Sequence, residues 1–273
     1  MLFLRSSTTD AAVNLATEQW LQEQALPPVF FLYQNAPAVI VGKYQNVYAE
    51  TDPAALRRDH VPVFRRCSGG GAVYHDAGNF NLCFVETLPP GTDLSHDRYV
   101  QPLVQALRAL GIPADKQRSC DIGVGGDKVS GSAQCVHAGR TLHHCTLLFD
   151  TDLAALERYL RGNGGLVSRA VASVRSPVTD LCRYYRGGRE QFEADLLRAL
   201  FPQGMQPLDL TAEQTEQIRR LAQEKYRTWA WNYAAGPAFT AATARGTVRV
   251  ERGVVVDCGD PACLGRRYED VIL

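Results

Sequence analysis

The spacing of apolar residues along the chain predicts a mixture of helices and short strands. In the first helical pattern, Val13, Ala16, Trp20 and Leu21 fall on one face, and Asp10 can cap the first turn. Apolar stripes and helix signals predict helices over residues 10–26, 53–58, 99–110, 152–160, 190–200 and 212–225. Thr211 and Gln214 form the pattern of a capping box before the last of these helices.

Short apolar runs between the helices predict strands. They are Val29 to Tyr33, Ala38 to Val41, Val61 to Phe64, Gly71 to His75, Asn79 to Val85, and the stretches "DIGV", "KVSGSAQCV" and "TLHHCTLLFD"; "TVRVERGVVVD" (247–257) has the pattern of a hairpin. The strands come in runs joined by short turns and do not alternate with helices as βαβ units do. We therefore predict an α+β fold in which a mixed or mostly antiparallel sheet packs with helices.

Composition narrows the function classes. Lys and Arg together number 29, as do Asp and Glu, so the net charge is zero and a bulk attraction to nucleic acid or to an anionic membrane is not expected. The eight cysteines form no CxxC pair, and "MLFLRSSTTD" lacks the pattern of a secretory signal. These features predict a cytoplasmic protein with reduced thiols, and no apolar run approaches the roughly 18 residues that span a bilayer.

The stretch "RRCSGGGAVYHD" (65–76) is the first candidate for chemistry. Its glycines would let backbone N–H groups form an anion-binding nest, with Arg65, Arg66 and Ser68 adding charged and hydroxyl contacts. A plain glycine turn between two strands explains the same residues equally well. "GVGGDKVSGSAQ" (123–134) is a second glycine-rich turn, and a lysine held there, Lys128, suits a phosphate or an acyl carboxylate, whereas an exposed turn lysine is the commoner case.

Histidines and cysteines near these loops give weaker evidence for a metal site or a thiol nucleophile. His143 and His144 are adjacent on a predicted strand, so they face opposite ways and do not form a metal pair; we find no zinc-type spacing. Cys67 and Cys145 lie beside the motifs, but a thiol nucleophile needs a base close by, and His144 would point away from Cys145.

Taken together, several segments resemble the lipoate–protein ligase A family, which shares its fold with biotin–protein ligases and class II aminoacyl-tRNA synthetases. The matching segments are "NLATEQWL" (14–21), "VGKYQNVYAE" (41–50), "RRCSGGGAVYHDAGNFNLCF" (65–84), "DIGVGGDKVSGSAQ" (121–134), "LHHCTLLFDTDL" (142–153), "SVRSPVTDL" (173–181) and "KYRTWAWNYAAGPAF" (225–239). Together, the Arg-Arg-x-Ser-Gly-Gly-Gly-Ala-Val and Lys-x-Ser-Gly-Ser-Ala runs are specific for this family, whereas either run alone would be weak evidence for it.

The resemblance implies an enzyme with a two-step reaction. Lipoate and ATP would form lipoyl-AMP, and a lysine of an acceptor protein would then take the lipoyl group. The implied acceptors are the lipoyl domains of 2-oxoacid dehydrogenase E2 subunits and the glycine cleavage H protein, and Mg²⁺ is the implied metal ion.

The resemblance also implies roles for individual residues. Lys128 would be catalytic, and Asp121 would face the nucleotide and serve as a metal ligand. The residues implied to bind lipoyl-AMP are Arg66, Ser68, Gly69, Gly70, Gly71, Ala72, His75, Asn79 and His144. An apolar tunnel would take the lipoyl chain.

Three departures from the family pattern bear on these implications. Cys120 stands where the family has asparagine before Asp-Ile, and Cys145 stands where it has glycine after the two histidines, which would put a side chain near the pocket. Only 34 residues follow Phe239, so we predict a catalytic domain over 1–239 and an abbreviated accessory segment over 240–273.

Two other functions stay open at this stage. One is an octanoyl or lipoyl transferase of the same fold that uses a cysteine thioester, although residues 160–176, where such a nucleophile would lie, contain no cysteine. The other is a non-catalytic lipoate-binding protein, against which the intact Lys128 argues.

Overall fold

The computed structural model of the chain describes residues 1–162 and 165–272. Its strands, numbered in chain order, are β1 (Leu2–Arg5), β2 (Val29–Tyr33), β3 (Ala38–Val41), β4 (Val63–Arg65), β5 (Val73–His75), β6 (Asn79–Thr87), β7 (Ala114–Lys116), β8 (Asp121–Val124), β9 (Asp127–His137), β10 (Arg140–Leu148), β11 (Leu166–Ser168), β12 (Gln206–Pro207), β13 (Phe239–Thr243), β14 (Gly246–Glu251) and β15 (Val254–Cys258). Its α-helices are α1 (Ala11–Glu23), α2 (Val47–Glu50), α3 (Pro53–Arg58), α4 (Asp97–Ala109), α5 (Leu153–Tyr159), α6 (Arg189–Leu200), α7 (Ala212–Leu221) and α8 (Glu269–Ile272).

These elements form two compact units, each built from separated stretches of chain. The first unit comprises residues 1–36, 76–153 and 175–218, and the second comprises residues 37–75, 154–174 and 219–273. Leu273, the last residue of the predicted accessory segment, lies outside the described residues.

The first unit is organised around a mixed sheet in the order β12-β1-β2-β6-β10-β9-β8-β7. Strand β1 is parallel to both of its neighbours, and the other pairings are antiparallel. Alternate residues of β2, β6 and β10, such as Phe30, Leu82 and Leu147, join α4 and α6 in one apolar core. Each fully buried side chain of this kind contributes about 1.5–3 kcal/mol to stability. The residues between them face α1, which covers the other side of the sheet.

The second unit holds two smaller sheets, in the orders β4-β3-β5 and β11-β13-β14-β15. Val39, Val41 and Tyr74 form one core with α2, α3 and α5. Tyr48, Phe239 and Val250 belong to the other core, together with residues of the closing segment. Tyr233 packs against both cores, which makes the chain around it the bridge between them.

Most predicted elements are confirmed, and so is the α+β class with a mixed, largely antiparallel sheet. Asp10 caps α1, accepting from the N–H groups of Ala12 and Val13. The capping box is present, since the Gln214 N–H donates to Thr211 Oγ1 at 3.2 Å and the Thr211 N–H donates to Gln214 Oε1 at 2.9 Å. The predicted hairpin is β14–β15, and its two turn residues, Arg252 and Gly253, have φ of 48° and 73°, as a tight hairpin turn requires.

Several predicted boundaries were wrong, among them the end of the helix predicted over residues 10–26, which ends at Glu23. The strand predicted from Val61 begins at Val63, because the Val61 N–H donates to the carbonyl of Leu56 and closes the turn after α3. The strand predicted from Gly71 begins at Val73, because the two residues before it belong to the glycine-rich loop over residues 66–72, called the glycine loop below. The helix predicted over 212–225 is α-helical only to Leu221, after which Ala222–Tyr226 forms a wider π-type turn.

Candidate active site

In the first unit, Lys128 and Asp121 meet across the β8–β9 hairpin. Lys128 Nζ lies 2.8 Å from Asp121 Oδ1, and the carboxylate is nearly buried while the lysine side chain is about one-quarter exposed. Lys128 pairs with Gly123, where the ladder is shifted by a bulge. The glycine turn that precedes it consists of Gly125 and Gly126, with φ of 62° and 94°. The sequence placed Lys128 both in the glycine-rich turn and at the start of the predicted strand "KVSGSAQCV". It is the second residue of β9, so the sheet fixes its direction.

Gly131 makes room for the lysine amine. A Cβ at this position would lie 2.7 Å from Lys128 Nζ and 3.6 Å from Asp121 Oδ1. Gly131 is paired directly with Asp121, so its missing side chain leaves space on the face where the ion pair lies. The glycine of the Lys-x-Ser-Gly-Ser-Ala run is therefore explained by close approach to the lysine.

Residues 177–179 form hydrogen bonds with the backbone of Lys128. The Lys128 N–H donates to the carbonyl of Pro177 at 2.9 Å, and the Thr179 N–H donates to the Lys128 carbonyl at 3.0 Å. Both groups that fix the lysine backbone come from the "SVRSPVTDL" segment. Because both hydrogen bonds of the Lys128 backbone are satisfied in this way, the side chain has a well-defined starting direction.

His144 is held by a fully buried carboxylate. Its Nδ1 lies 2.9 Å and 3.0 Å from the two oxygens of Glu18 on α1, and the Tyr33 hydroxyl donates to Glu18 Oε1 at 2.9 Å. A carboxylate only accepts, so the Nδ1 that faces Glu18 carries a proton. Glu18 lies within the matching "NLATEQWL" segment, but the sequence alone gave no reason to pair it with His144.

Asn79 presents a buried acceptor. Its Nδ2 donates to Asn81 Oδ1 at 3.0 Å, whereas Asn79 Oδ1 accepts no hydrogen bond from the described part of the chain. A buried polar atom of this kind usually has a partner, so Asn79 Oδ1 is suited to a donor group on a ligand.

Cys145 does not reach the surroundings of His144. It faces the apolar core of the first unit, and burial raises the pKa of its thiol to about 12. The expectation that Cys145 adds a side chain near the pocket was wrong for the side of the sheet that holds His144, because adjacent residues of β10 point to opposite sides of the sheet. For the same reason His143 faces the core side, where its ring stacks on Tyr99 at 4.2 Å between centroids.

In the second unit, Arg66 is the centre of the glycine loop. It is buried, and its guanidinium donates to Ser68 Oγ at 3.0 Å, to the Gly69 carbonyl at 2.5 Å and to the Gly71 carbonyl at 2.8 Å. These contacts hold the loop closed around the arginine. That Arg66 also contacts a ligand stays a prediction.

Because the loop carbonyls turn toward Arg66, the N–H groups of Gly69, Gly70 and Gly71 are left without hydrogen bonds to the described residues. Gly70 has φ of 86°, so a side chain there would strain the backbone. Successive N–H groups in such a turn form an anion-binding concavity. The loop therefore offers N–H groups that could serve an anion, and the anion nest that the sequence left as one of two alternatives stays a prediction.

Gln45 and Ser173 support the loop, and the sequence interpretation missed both. The Ala72 N–H donates to Ser173 Oγ at 2.8 Å, and Gln45 Nε2 donates to the same oxygen at 3.0 Å. The side-chain oxygen of Gln45, Oε1, accepts from the Gly42 N–H at 2.8 Å. Glutamine and serine have no special spacing in the sequence, so only the fold could reveal this relay.

The predicted residues fall into sets within their own units. Lys128 and Asp121 are in contact in the first unit, whereas Asn79 and His144 lie apart from each other on neighbouring strands. In the second unit, residues 66–72 form one cluster, and His75 is buried at the end of β5, paired with Ala38.

A metal ion would find few protein ligands here. The described residues contain no group of three histidine, cysteine or acidic side chains placed to hold one. Asp121 is a single carboxylate, and one of its oxygens already contacts Lys128. This donor set fits Mg²⁺ only as an ion that arrives with phosphates, which need one or two carboxylates from the protein.

Comparison with known proteins decides the family. The family model of the lipoyl protein ligase A/B catalytic domain matches residues 10–201. The chain belongs to this family. Among curated relatives of the family, lipoate–protein ligase 1 of Staphylococcus aureus is 35% identical over 86% of this chain and 73% of its own length. Lipoate–protein ligase LplJ of Bacillus subtilis is 32% identical over 94% and 83%. The predicted family and the prediction of an enzyme are therefore confirmed.

Solved structures confirm the fold. A lipoate protein ligase from Thermoplasma acidophilum with bound lipoic acid superposes with a TM-score of 0.73 at 23% identity, over 85% of this chain and 98% of that one. A bi-partite lipoate protein ligase from the same organism, described with its E2 lipoyl domain, gives 0.72 at 22%, over 85% and 94%. A lipoate–protein ligase A bound with ATP gives 0.72 at 23%, over 85% and 96%. Among the described residues of this chain, no helix is long and apolar enough to cross a membrane.

Proposed function

We propose that the protein is an ATP-dependent lipoate–protein ligase, which activates lipoate as lipoyl-AMP and transfers the lipoyl group to a lysine of an acceptor protein. The observation that carries the proposal is the amine of Lys128, fixed by Asp121 at 2.8 Å in space that Gly131 leaves open. An amine presented by a strand in this way suits a phosphoryl group that gains negative charge.

In the first step, a carboxylate oxygen of lipoate attacks the α-phosphorus of ATP. The bond between that phosphorus and the bridging oxygen breaks, and pyrophosphate leaves with the electron pair. Negative charge grows on the nonbridging oxygens, and Lys128 offsets it. The free N–H groups of Gly69, Gly70 and Gly71 serve the adenylate or the new mixed anhydride in the same way.

In the second step, a neutral amine of the acceptor lysine attacks the lipoyl carbonyl. The bond from that carbonyl carbon to the AMP oxygen breaks, AMP leaves, and the nitrogen releases a proton. No covalent bond to the enzyme is needed. The acceptors that fit are lipoyl domains of 2-oxoacid dehydrogenase E2 subunits and the glycine cleavage H protein, and the structural relative described with its E2 lipoyl domain supports the first of them.

The other predicted residues have supporting roles in this proposal. Arg66 and Ser68 hold the loop, Ala72 extends it, and His75, Asn79 and His144 contact lipoyl-AMP. Asp121 orients Lys128 and is the one carboxylate offered to Mg²⁺. When bound with the nucleotide, that ion supplies charge neutralisation for the phosphates.

We further propose that residues 1–239 are the catalytic domain and residues 240–273 an accessory segment, and that the protein works in the cytoplasm. The location is supported by the eight cysteines, which form no disulfide bond although several are exposed or half-buried. Zero net charge supports a partner recognised by local contacts, with no role for nucleic acid or membrane.

A cysteine transferase is the second candidate, and the geometry argues against its most suggestive nucleophile. Cys145 lies in the core with its pKa raised to about 12, so its thiolate is scarce at neutral pH. The neighbouring His144 is turned to Glu18 on the other side of the sheet.

The test is to mix the protein with lipoate, Mg-ATP and an apo lipoyl domain, and to follow acceptor mass and pyrophosphate. We expect ATP-dependent lipoylation, and Lys128→Ala should lower its rate by about 10²- to 10³-fold. Lys116→Ala is the matched control, because Lys116 also pairs with an aspartate, Asp97, in the same unit. Lipoylation that survives Lys128→Ala and stops with Cys145→Ser would establish the transferase, and lipoate binding without turnover would establish a binding protein.

A further inference from the structure

Arg65 is the first arginine of the Arg-Arg-x-Ser-Gly-Gly-Gly-Ala-Val run. It is fully buried, and its guanidinium donates only to backbone carbonyls. Its Nη1 donates to the carbonyls of Gly42, Lys43 and Gln45 at 2.9, 3.2 and 2.8 Å. Its Nε and Nη2 donate to the carbonyls of Trp231 and Asn232 at 3.1 and 2.9 Å. The guanidinium therefore ties two distant chain segments of the second unit together.

The backbone of Arg65 also forms hydrogen bonds with residues 231 and 232. Its N–H donates to Asn232 Oδ1 at 3.0 Å, and its carbonyl accepts from Trp231 Nε1 at 2.7 Å. Arg65 forms no ion pair with the described residues, and burial lowers its pKa to about 10. An unpaired buried cation is costly, so the five carbonyls must stay in place to compensate it.

The turn that Arg65 holds is in direct contact with the glycine loop. The Lys43 N–H donates to the carbonyl of Ser68 at 2.8 Å. A Cβ on Gly42 would lie 2.2 Å from the carbonyl oxygen of Gly70, so the two backbones touch. Gln45, whose carbonyl binds Arg65, carries the amide that reaches Ser173 and through it the Ala72 N–H.

We propose that Arg65 is a positioning residue for the ligase reaction: it locks the 42–45 turn to residues 231–232, and the turn in turn sets the geometry of the glycine loop. This inference rests on the proposed function for its effect on catalysis, but the loop geometry itself can be measured without turnover. Its consequence is that the chain around Trp231, far from the loop in sequence, controls the adenylation step.

The experiment compares two tryptophan variants. Trp231→Phe removes the indole N–H that donates to the Arg65 carbonyl, and with it part of the ring. Trp229→Phe is the matched control, because the indole N–H of Trp229 donates instead to Glu269. Arg65→Lys is the third variant. It keeps the charge but loses the branched guanidinium, whose nitrogens reach both segments.

Hydrogen exchange of the amides in residues 42–45 and 68–72 is the first readout. We expect faster exchange in Trp231→Phe and Arg65→Lys, and wild-type exchange in Trp229→Phe. Lipoate-dependent pyrophosphate release is the second readout, and its kcat/KM should fall by about 10- to 100-fold in the first two variants at unchanged folded fraction.

Equal exchange in the two tryptophan variants would overturn the proposal, as would an unchanged kcat/KM in both Trp231→Phe and Arg65→Lys. A wild-type chain that releases no pyrophosphate with lipoate counts against the proposed function. In that case the exchange comparison still decides whether Arg65 positions the loop.

Discussion

Single residues decide much of the chemistry available to this enzyme, and the Glu18–His144 contact is the clearest case. The carboxylate is fully buried and accepts from both His144 and Tyr33. It fixes the orientation of the ring and the nitrogen that carries the proton. The histidine of the family motif thus depends on a helix residue that lies 126 positions earlier in the chain.

Replacement of this carboxylate should affect catalysis more than folding. In Glu18→Gln, the amide nitrogen can donate to His144 Nδ1 and shift the ring proton to Nε2. We expect the kcat/KM for lipoate to fall by about tenfold or more, with an altered pH–rate profile. Glu86→Gln is the control, since Glu86 also accepts from a tyrosine, Tyr99, in the same unit. Similar kinetic losses in both variants would reduce the role of Glu18 to stability alone.

His143, the other histidine of the pair, should make stability depend on pH. Burial first, and then the nearby His96 and His144, lower its pKa from 6.5 to about 2. Between these values the unfolded chain binds a proton that the folded chain does not. The free energy of unfolding therefore falls as the pH drops below about 6.5, by up to ~1.4 kcal/mol per pH unit from this group.

His143→Gln should flatten that dependence, as measured by chemical denaturation from pH 8 to pH 4. His137→Gln, at an exposed position, serves as the control. A slope that is the same in the wild type and in His143→Gln would show that other groups carry the acid sensitivity.

At the scale of elements, the β8–β9 hairpin positions Lys128, the lysine proposed to be catalytic, by its register. Asp121 lies opposite Gly131, and Lys128 lies near the bulge, so the ion pair and the open space occur on one face. The strands were predictable from their apolar pattern. The register was not, because the bulge shifts the pairing by an amount that no local pattern specifies.

Gly131→Ala tests this arrangement. The new methyl would lie within 2.7 Å of Lys128 Nζ, so the amine must move away from its position beside Asp121. We expect kcat to fall by about 10²-fold, because a displacement of about 1 Å is that costly at a reacting centre. Gly188→Ala, where a methyl meets nothing within 4 Å, should leave kcat unchanged. Wild-type kcat in Gly131→Ala would show that Lys128 does not need this space.

For the molecule as a whole, burial separates reactive from inert thiols. Cys145 and Cys83 are buried, and burial raises the pKa of each thiol. Cys182 is exposed, although partial burial and the nearby Asp150 raise its pKa as well. We expect iodoacetamide at pH 8 to label Cys182 in the folded protein, and Cys145 only as fast as the first unit unfolds. Peptide mass spectrometry during a time course gives both rates. Rapid labelling of Cys145 in the folded protein would return the thioester mechanism to consideration.

By itself, the sequence determined the elements, the fold class and the family, because apolar periodicity, caps and turn glycines act over a few residues and the two signature runs are long enough to be specific. Only the tertiary structure decided that Arg65 and Arg66 bind carbonyls, that the Lys128 amine lies beside Asp121, and that Cys145 faces the core. It also revealed Glu18, Gln45 and Ser173. Their partners lie 126, 128 and 101 positions away in the chain, and contacts over such separations depend on strand register and packing, which local patterns do not encode.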